Sequence, residues 1–236
     1  MKKLIKITGV FIAAALTMTT TAFAWTSHVQ DLTEIEVTFD ESIDPGEQTN
    51  ISVPSDWAVA EVKQARKYGI VPVFSDNPRY TDSITREQFA ELAIKTALVA
   101  GKKSIGNSNT VTFTDCDNQS VLVAAAIGIV NGVGDGKFDP KTTTNREQIA
   151  AMVARTIDYL EGVLDIDLTP NAPDIAGFAD KGDVSDWAAD SVGILAANGI
   201  MMGTSATELS PKSPCSVEQS IVLMERVYES IVNLNR

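Results

Sequence analysis

From Asn131 to Ile157 the chain passes from a glycine-rich polar stretch into a run of apolar residues at helical spacing. Ile149, Met152, Val153, Thr156 and Ile157 share one face of a 3.6-residue period, which predicts an amphipathic helix. Asn145 stands where an N-cap is needed, and Gln148 three residues on completes a capping box. The same pattern recurs upstream, where Thr85, Arg86, Glu87 and Gln88 open a helix carrying Phe89, Leu92, Ala93, Thr96 and Ala97. It recurs downstream, where Ser216, Val217, Glu218 and Gln219 precede Leu223, Met224, Val227 and Tyr228.

A shorter helical pattern precedes each of these. The first carries Trp57, Val62, Ala65 and Tyr68, and the third carries Trp187, Val192, Leu195 and Ala196. The second, from about Asn118 to Ile127, is apolar nearly all round, which predicts a buried helix and a central place for its repeat. All three end in a matched dipeptide: Gly69-Ile70, Gly128-Ile129 and Gly199-Ile200. From the glycine to the second motif residue (Arg86, Arg146, Val217) is 17, 18 and 18 positions. Three copies in register are the signature of a repeat architecture.

These residues resemble the S-layer homology repeat: a Trp-led helix, a Gly-Ile turn, a loop with an aromatic residue and a proline, and a second helix opening Thr-Arg-x-Glu. In the loops, Phe138 and Pro140 are matched by Leu209 and Pro211, with Tyr80 in the place of the loop Phe. The resemblance implies an all-α fold of three tandem helical hairpins packed as a pseudo-threefold spindle. The repeats run 55–103, 110–162 and 175–233, with Phe113 to Asp115 and Phe178 to Asp180 as the start signals of the second and third. One hairpin has too little apolar surface to fold alone, whereas roughly 210 residues together bury about 70% of their unfolded surface.

The segments outside the repeats are a leader and an arm. Lys2, Lys3 and Lys6, an apolar run from Ile7 to Met18, and Ala22-Phe23-Ala24 predict a signal peptide over 1–24, cleaved near Ala24. Residues 25–54 lack helical periodicity and read as an extended arm packed on the first repeat, or as a spacer. The full chain holds 31 acidic against 19 basic residues, a net charge of -12 that becomes -15 without the three leader lysines. Such a balance excludes nucleic acid and anionic lipid as partners, so the mature form is expected to be free of the membrane. An anion can bind only through locally placed arginines.

Catalysis has no support. The single histidine, His28, lies in the arm, so no Ser-His-Asp set forms, and no paired carboxylates stand out. Neither a metal nor another cofactor is expected: Gly134-Asp135-Gly136 lacks the twelve-residue calcium pattern, and Cys116 and Cys215 match no metal spacing. Whether those cysteines meet in a disulfide stays open. By resemblance, the protein is a non-catalytic wall-binding protein whose partner is a pyruvylated cell wall polysaccharide held in grooves between repeats, with other surface proteins as the alternative partner class.

The residues implied for that glycan are Arg86 and Arg146 as carboxylate clamps, Trp57 and Trp187 as groove walls, and Gly132 and Gly203 as points of close backbone approach. A helix N-terminus would add free N–H groups beside the arginines. Thr85, Gln88, Asn145, Gln148, Ser216 and Gln219 are the capping residues; Gln replaces the motif Glu and keeps the cap without the charge. A Trp at the head of an apolar stripe is equally a core residue, and a first-turn Arg equally a solvated or ion-paired one. Val217 in place of Arg, and Cys116 in place of Trp, limit the competent grooves to two.

Overall fold

The computed structural model describes residues 52–101, 105 and 111–234. The leader, His28, most of the arm and most of the first linker lie outside them. The described chain holds six α-helices: α1 (Val59–Tyr68), α2 (Arg86–Gly101), α3 (Gln119–Ala126), α4 (Arg146–Leu164), α5 (Ala189–Ala197) and α6 (Val217–Leu234). Two 3-10 turns, Lys181–Asp183 and Asp186–Ala188, precede α5. Extended pairing among the described residues is confined to isolated bridges, so the all-α expectation holds for them.

The long helices α2, α4 and α6 open where the sequence places them. Asn145 Oδ1 accepts from Gln148 N at 2.9 Å and the Gln148 side chain accepts from Asn145 N at 3.1 Å, a complete capping box. Thr85 with Gln88, and Ser216 with Gln219, repeat the exchange. The predicted stripes are buried: Phe89, Leu92, Ala93, Thr96 and Ala97 on α2; Ile149, Met152, Val153, Thr156 and Ile157 on α4; Leu223, Met224 and Val227 on α6. The two threonines turn their hydroxyls back to Leu92 O and Met152 O, so neither leaves an unpaired polar group in the core.

These three helices pack against one another, and each carries one short helix. α3 packs on α2, α5 on α4, and α1 on α6. The last pair joins the first short helix of the chain to the last long one. The expectation that the second repeat is central is corrected here. α3 buries Val121, Val123 and Ala124 but leaves Leu122 and Ala125 half-exposed on the outside of α2. Its apolar composition reflects small residues (three alanines in eight) rather than burial on every side.

Each short helix stops at its glycine. Gly69, Gly128 and Gly199 adopt φ of 76°, 85° and 70°, and the N–H of the following isoleucine reaches back to Ala65, Ala124 and Leu195. This is a Schellman end, which needs a residue tolerant of the left-handed region. It drives Ile70, Ile129 and Ile200 into the core at 1% exposure or less.

At the hub three short extended segments meet. Ile84 N donates to Cys215 O, Cys215 N to Thr144 O, and Thr144 N to Ile84 O, a closed triangle of backbone hydrogen bonds. Cys215 is buried there and Cys116 is half-buried elsewhere, both as free thiols. Burial pushes the Cys215 thiol up to about 11, which keeps it protonated and inert.

Candidate functional site

The first residues of the long helices decide what a ligand can reach. Four N–H groups at a helix start lack an intrahelical partner. In α4, Arg146 N donates to Ser213 O, Glu147 N to Pro211 O, and Gln148 N to the Asn145 cap. Arg86 and Glu87 make the same bonds to Thr142 and Pro140, and Val217 and Glu218 to Asp82 and Tyr80. The expected free N–H groups are therefore taken by the loop of a neighbouring segment, and the helix N-termini hold no open anion site.

The same bonds correct the alignment of the first loop. Tyr80 O, Pro140 O and Pro211 O are equivalent acceptors, so Tyr80 stands at the proline position. Pro78, two residues earlier as Phe138 and Leu209 are, takes the place assigned from sequence to Tyr80.

Arg86 and Arg146 occupy matching positions. Arg146 donates from Nε to Leu209 O and from Nη2 to Met202 O, both at 2.8 Å, and is 5% exposed. Arg86 donates from Nε to Phe138 O at 2.9 Å and from Nη2 to Asn131 O at 2.6 Å, with its guanidinium 4.6 Å from the Phe138 ring centre. Neither forms a salt bridge among the described residues. Each clamps both ends of a glycine loop, and three of the five N–H donors of a guanidinium are left over. Burial lowers the pKa of both arginines, while Asp139 raises that of Arg86, and the neighbouring Cys215 and Asp180 raise that of Arg146. A guanidinium stays charged regardless.

Arg146 faces a groove of about 300 Å³ lined also by Trp57, Met202, Gly203, Thr204 and, on α6, Gln219, Val222, Leu223 and Arg226. Trp57 is 52% exposed and Trp187 58%, so both stand at the surface and neither is a core residue. Arg226 was missed in the sequence. It lies nine residues after the motif position, as Arg155 does after Arg146, and that spacing is the signal. Its Nη2 meets Glu61 Oε1 on α1 at 2.7 Å.

Gly132 and Gly203 have a reason inside the fold. A Cβ on Gly203 would lie 2.5 Å from Glu208 O and 2.9 Å from the Phe178 ring; one on Gly132 would lie 2.8 Å from Lys137 O and 2.9 Å from the Phe113 ring. The two loops are also pinned by Asp180 and Asp115. Each gives its carboxylate to two successive N–H groups, Leu209 and Ser210 or Phe138 and Asp139.

A second set missed in the sequence is Glu87, Glu147 and Glu218, each under 9% exposed. Glu218 accepts from Ser55 N and Oγ, Glu147 from Ser185 N and Oγ, and Glu87 from the Asn118 side chain. Each holds the chain just before a short helix. Lys212 and Lys141 reach Glu147 and Glu87 from the solvent side at 2.5 and 2.6 Å.

The two departures from the pattern are Val217, at the start of α6, and Cys116, just before the α3 that packs on α2. Val217 is buried and makes no polar side-chain contact. On α2, Glu91 holds the position that groove-lining Val222 holds on α6. Its carboxylate accepts from the Asn118 side chain at 2.8 Å and from Ser75 N at 3.3 Å, tying the cap of α3 to the loop after α1. Burial raises the Glu91 pKa, against these hydrogen bonds.

Comparison with known proteins bears on the same residues. The S-layer homology domain matches at residues 118–150 and 177–216. Those segments contain Gly132, Asn145, Arg146, Gln148, Trp187, Gly203 and Ser216. The chain is 31% identical over 143 residues to an endoglucanase of Bacillus sp. (strain KSM-635), covering 59% of this chain and 14% of that enzyme. It is 33% identical over 104 residues to an amylopullulanase of Thermoanaerobacterium thermosulfurigenes, covering 42% and 6%. It is 29% identical over 114 residues to a surface-layer 125 kDa protein of Lysinibacillus sphaericus, covering 46% and 9%. The chain thus spans only a small part of each relative. Among the described residues no helix is long and apolar enough to cross a membrane.

Proposed function

We propose that this chain is a non-catalytic wall-binding protein of the cell surface that holds an acidic wall polysaccharide in grooves between three S-layer homology units. In this reading the units are α1–α2, α3–α4 and α5–α6, arranged with pseudo-threefold symmetry. The observation that carries it is the groove beside Arg146, which exposed Trp57 lines together with two arginines, Arg146 and Arg226. A flat apolar ring suits the face of a sugar, and the planar fork of arginine suits the carboxylate of a pyruvyl ketal. Two relatives with different enzyme names and one surface-layer protein share a segment with this chain. A common attachment module accounts for that sharing, and a common catalytic activity does not.

The matching residues Arg86, Gly132, Trp187 and Arg155 make a second groove in the same reading. The third position has Val217 for arginine, Cys116 for tryptophan and the Glu91 tie across it, so it takes no anionic sugar. The alternative is a surface-layer or protein-interaction scaffold. What favours it is that the backbone bonds of Arg86 and Arg146 explain those arginines without any ligand.

Sedimentation with purified wall sacculi, before and after removal of the secondary polymer, separates the two. We expect wild type to pellet only while the polymer is present. Trp57→Ala and Trp187→Ala should each reduce retention several-fold while unfolding at the wild-type temperature. Retention indifferent to the polymer and to both substitutions would leave the scaffold.

A further inference from the structure

Glu225 lies on α6 at 2% exposure, and its Oε2 is buried with no hydrogen-bond partner. A buried carboxylate in that state is costly unless it is protonated. The charged groups that bear on it are Glu229 and Arg226 of α6 itself and Glu61 of α1, the short helix packed on α6. Arg226 is already engaged. It donates from Nε and Nη2 to Glu61 at 3.1 and 2.7 Å, and from Nη1 to Ile200 O at 3.1 Å. The same Arg226 lines the groove that Trp57, two residues before α1, also lines.

We propose that the α1–α6 seam is an acid-tightened latch on the Trp57 groove. With Glu225 protonated the seam closes and holds Trp57 against Arg146 and Arg226. Loss of the proton sets three carboxylates, Glu61, Glu225 and Glu229, around one arginine and loosens α1.

The direction follows from burial, which raises the Glu225 carboxyl to about 7, with Glu229 and Glu61 adding to the rise. A raised carboxyl favours the closed form fully below its ordinary value of 4.5 and loses that advantage as pH climbs through about 7. The use of the groove as a ligand site rests on the function proposed above, but the latch is read without ligand.

Hydrogen–deuterium exchange of the Val59–Tyr68 amides tests it, at about pH 5.5 and about pH 8 and corrected for intrinsic exchange rates. Wild type should lose protection by about tenfold at the higher pH, and Glu225→Gln by less than about twofold. Glu225→Leu, which likewise removes the ionisable carboxyl, serves if the amide does not fold. Equal loss in wild type and variant overturns the latch. Protection that falls with pH in wild type only, without sacculus binding at either pH, keeps the latch and removes the ligand reading.

Discussion

At the residue scale the arginines of the motif are structural before they are anything else. Removing the Arg146 guanidinium leaves the carbonyl of buried Leu209 without its donor and frees the loop end at Met202, so Arg146→Ala should cost about 2–4 kcal/mol in chemical unfolding. A loss of wall retention in that variant would therefore reflect folding as much as binding, whereas exposed Trp57 can be removed with an expected cost under about 1 kcal/mol. Glu147 works against Glu225 in its pH dependence. Burial pushes its carboxyl up, but Lys212 and Ser185 pull it further down, to a net value below the ordinary one. A lowered carboxyl gives stability that is present above its unfolded value near 4.5 and is lost as pH falls through the folded one. Glu147→Gln should therefore flatten the acid limb of a thermal-unfolding series, and Glu225→Gln should raise stability on the alkaline side. Gln88, Gln148 and Gln219 leave the motif position without a charge. Buried carboxylates stand one residue earlier, in Glu87, Glu147 and Glu218, and nothing local marks those as buried.

At the element scale nearly everything was legible. Caps, stripes and glycine stops involve groups a few residues apart, so their partners are visible in the same short window of sequence. The N-cap of α3 at Asn118 and its end at Ile127 agree with the apolar run that predicted them. The glycines need finer sorting. Gly69 needs its backbone angle, and a Cβ there meets nothing within 4 Å, so Gly69→Ala should cost about 1–2 kcal/mol. Gly203 needs its empty volume, because backbone and a ring surround it. Gly203→Ala should cost clearly more, about 3 kcal/mol or above in denaturant titration, because carbonyls cannot step aside as a flexible side chain does.

At the scale of the whole molecule the chain closes on itself. Ser55 bonds to Glu218 across 163 positions, and α1 covers α6. A fragment of residues 111–236 keeps four of the six helices but leaves the α6 faces bare where α1 and α2 packed. It should lose cooperative unfolding and bind a hydrophobic dye, as circular dichroism and dye fluorescence would show. A fragment that melted sharply at the wild-type temperature would mean that closure adds nothing. Closure also explains why the contacts around Val217 and Cys116 were only half-readable. Val217 and Cys116 are visible as departures from the pattern, but the Glu91 tie depends on α3 folding back over α2.

The sequence by itself determined the helices, their starts and stops, and the acidic balance of the chain. Each of these is set by residues in contact along a few turns of backbone, or by composition. Only the tertiary structure decided that the helix N-termini are filled by carbonyls, that Arg146 meets a loop about 60 positions ahead, and that Glu225 is buried unpaired between like charges. Those outcomes depend on which segments lie side by side after closure, and a one-dimensional pattern carries no record of that.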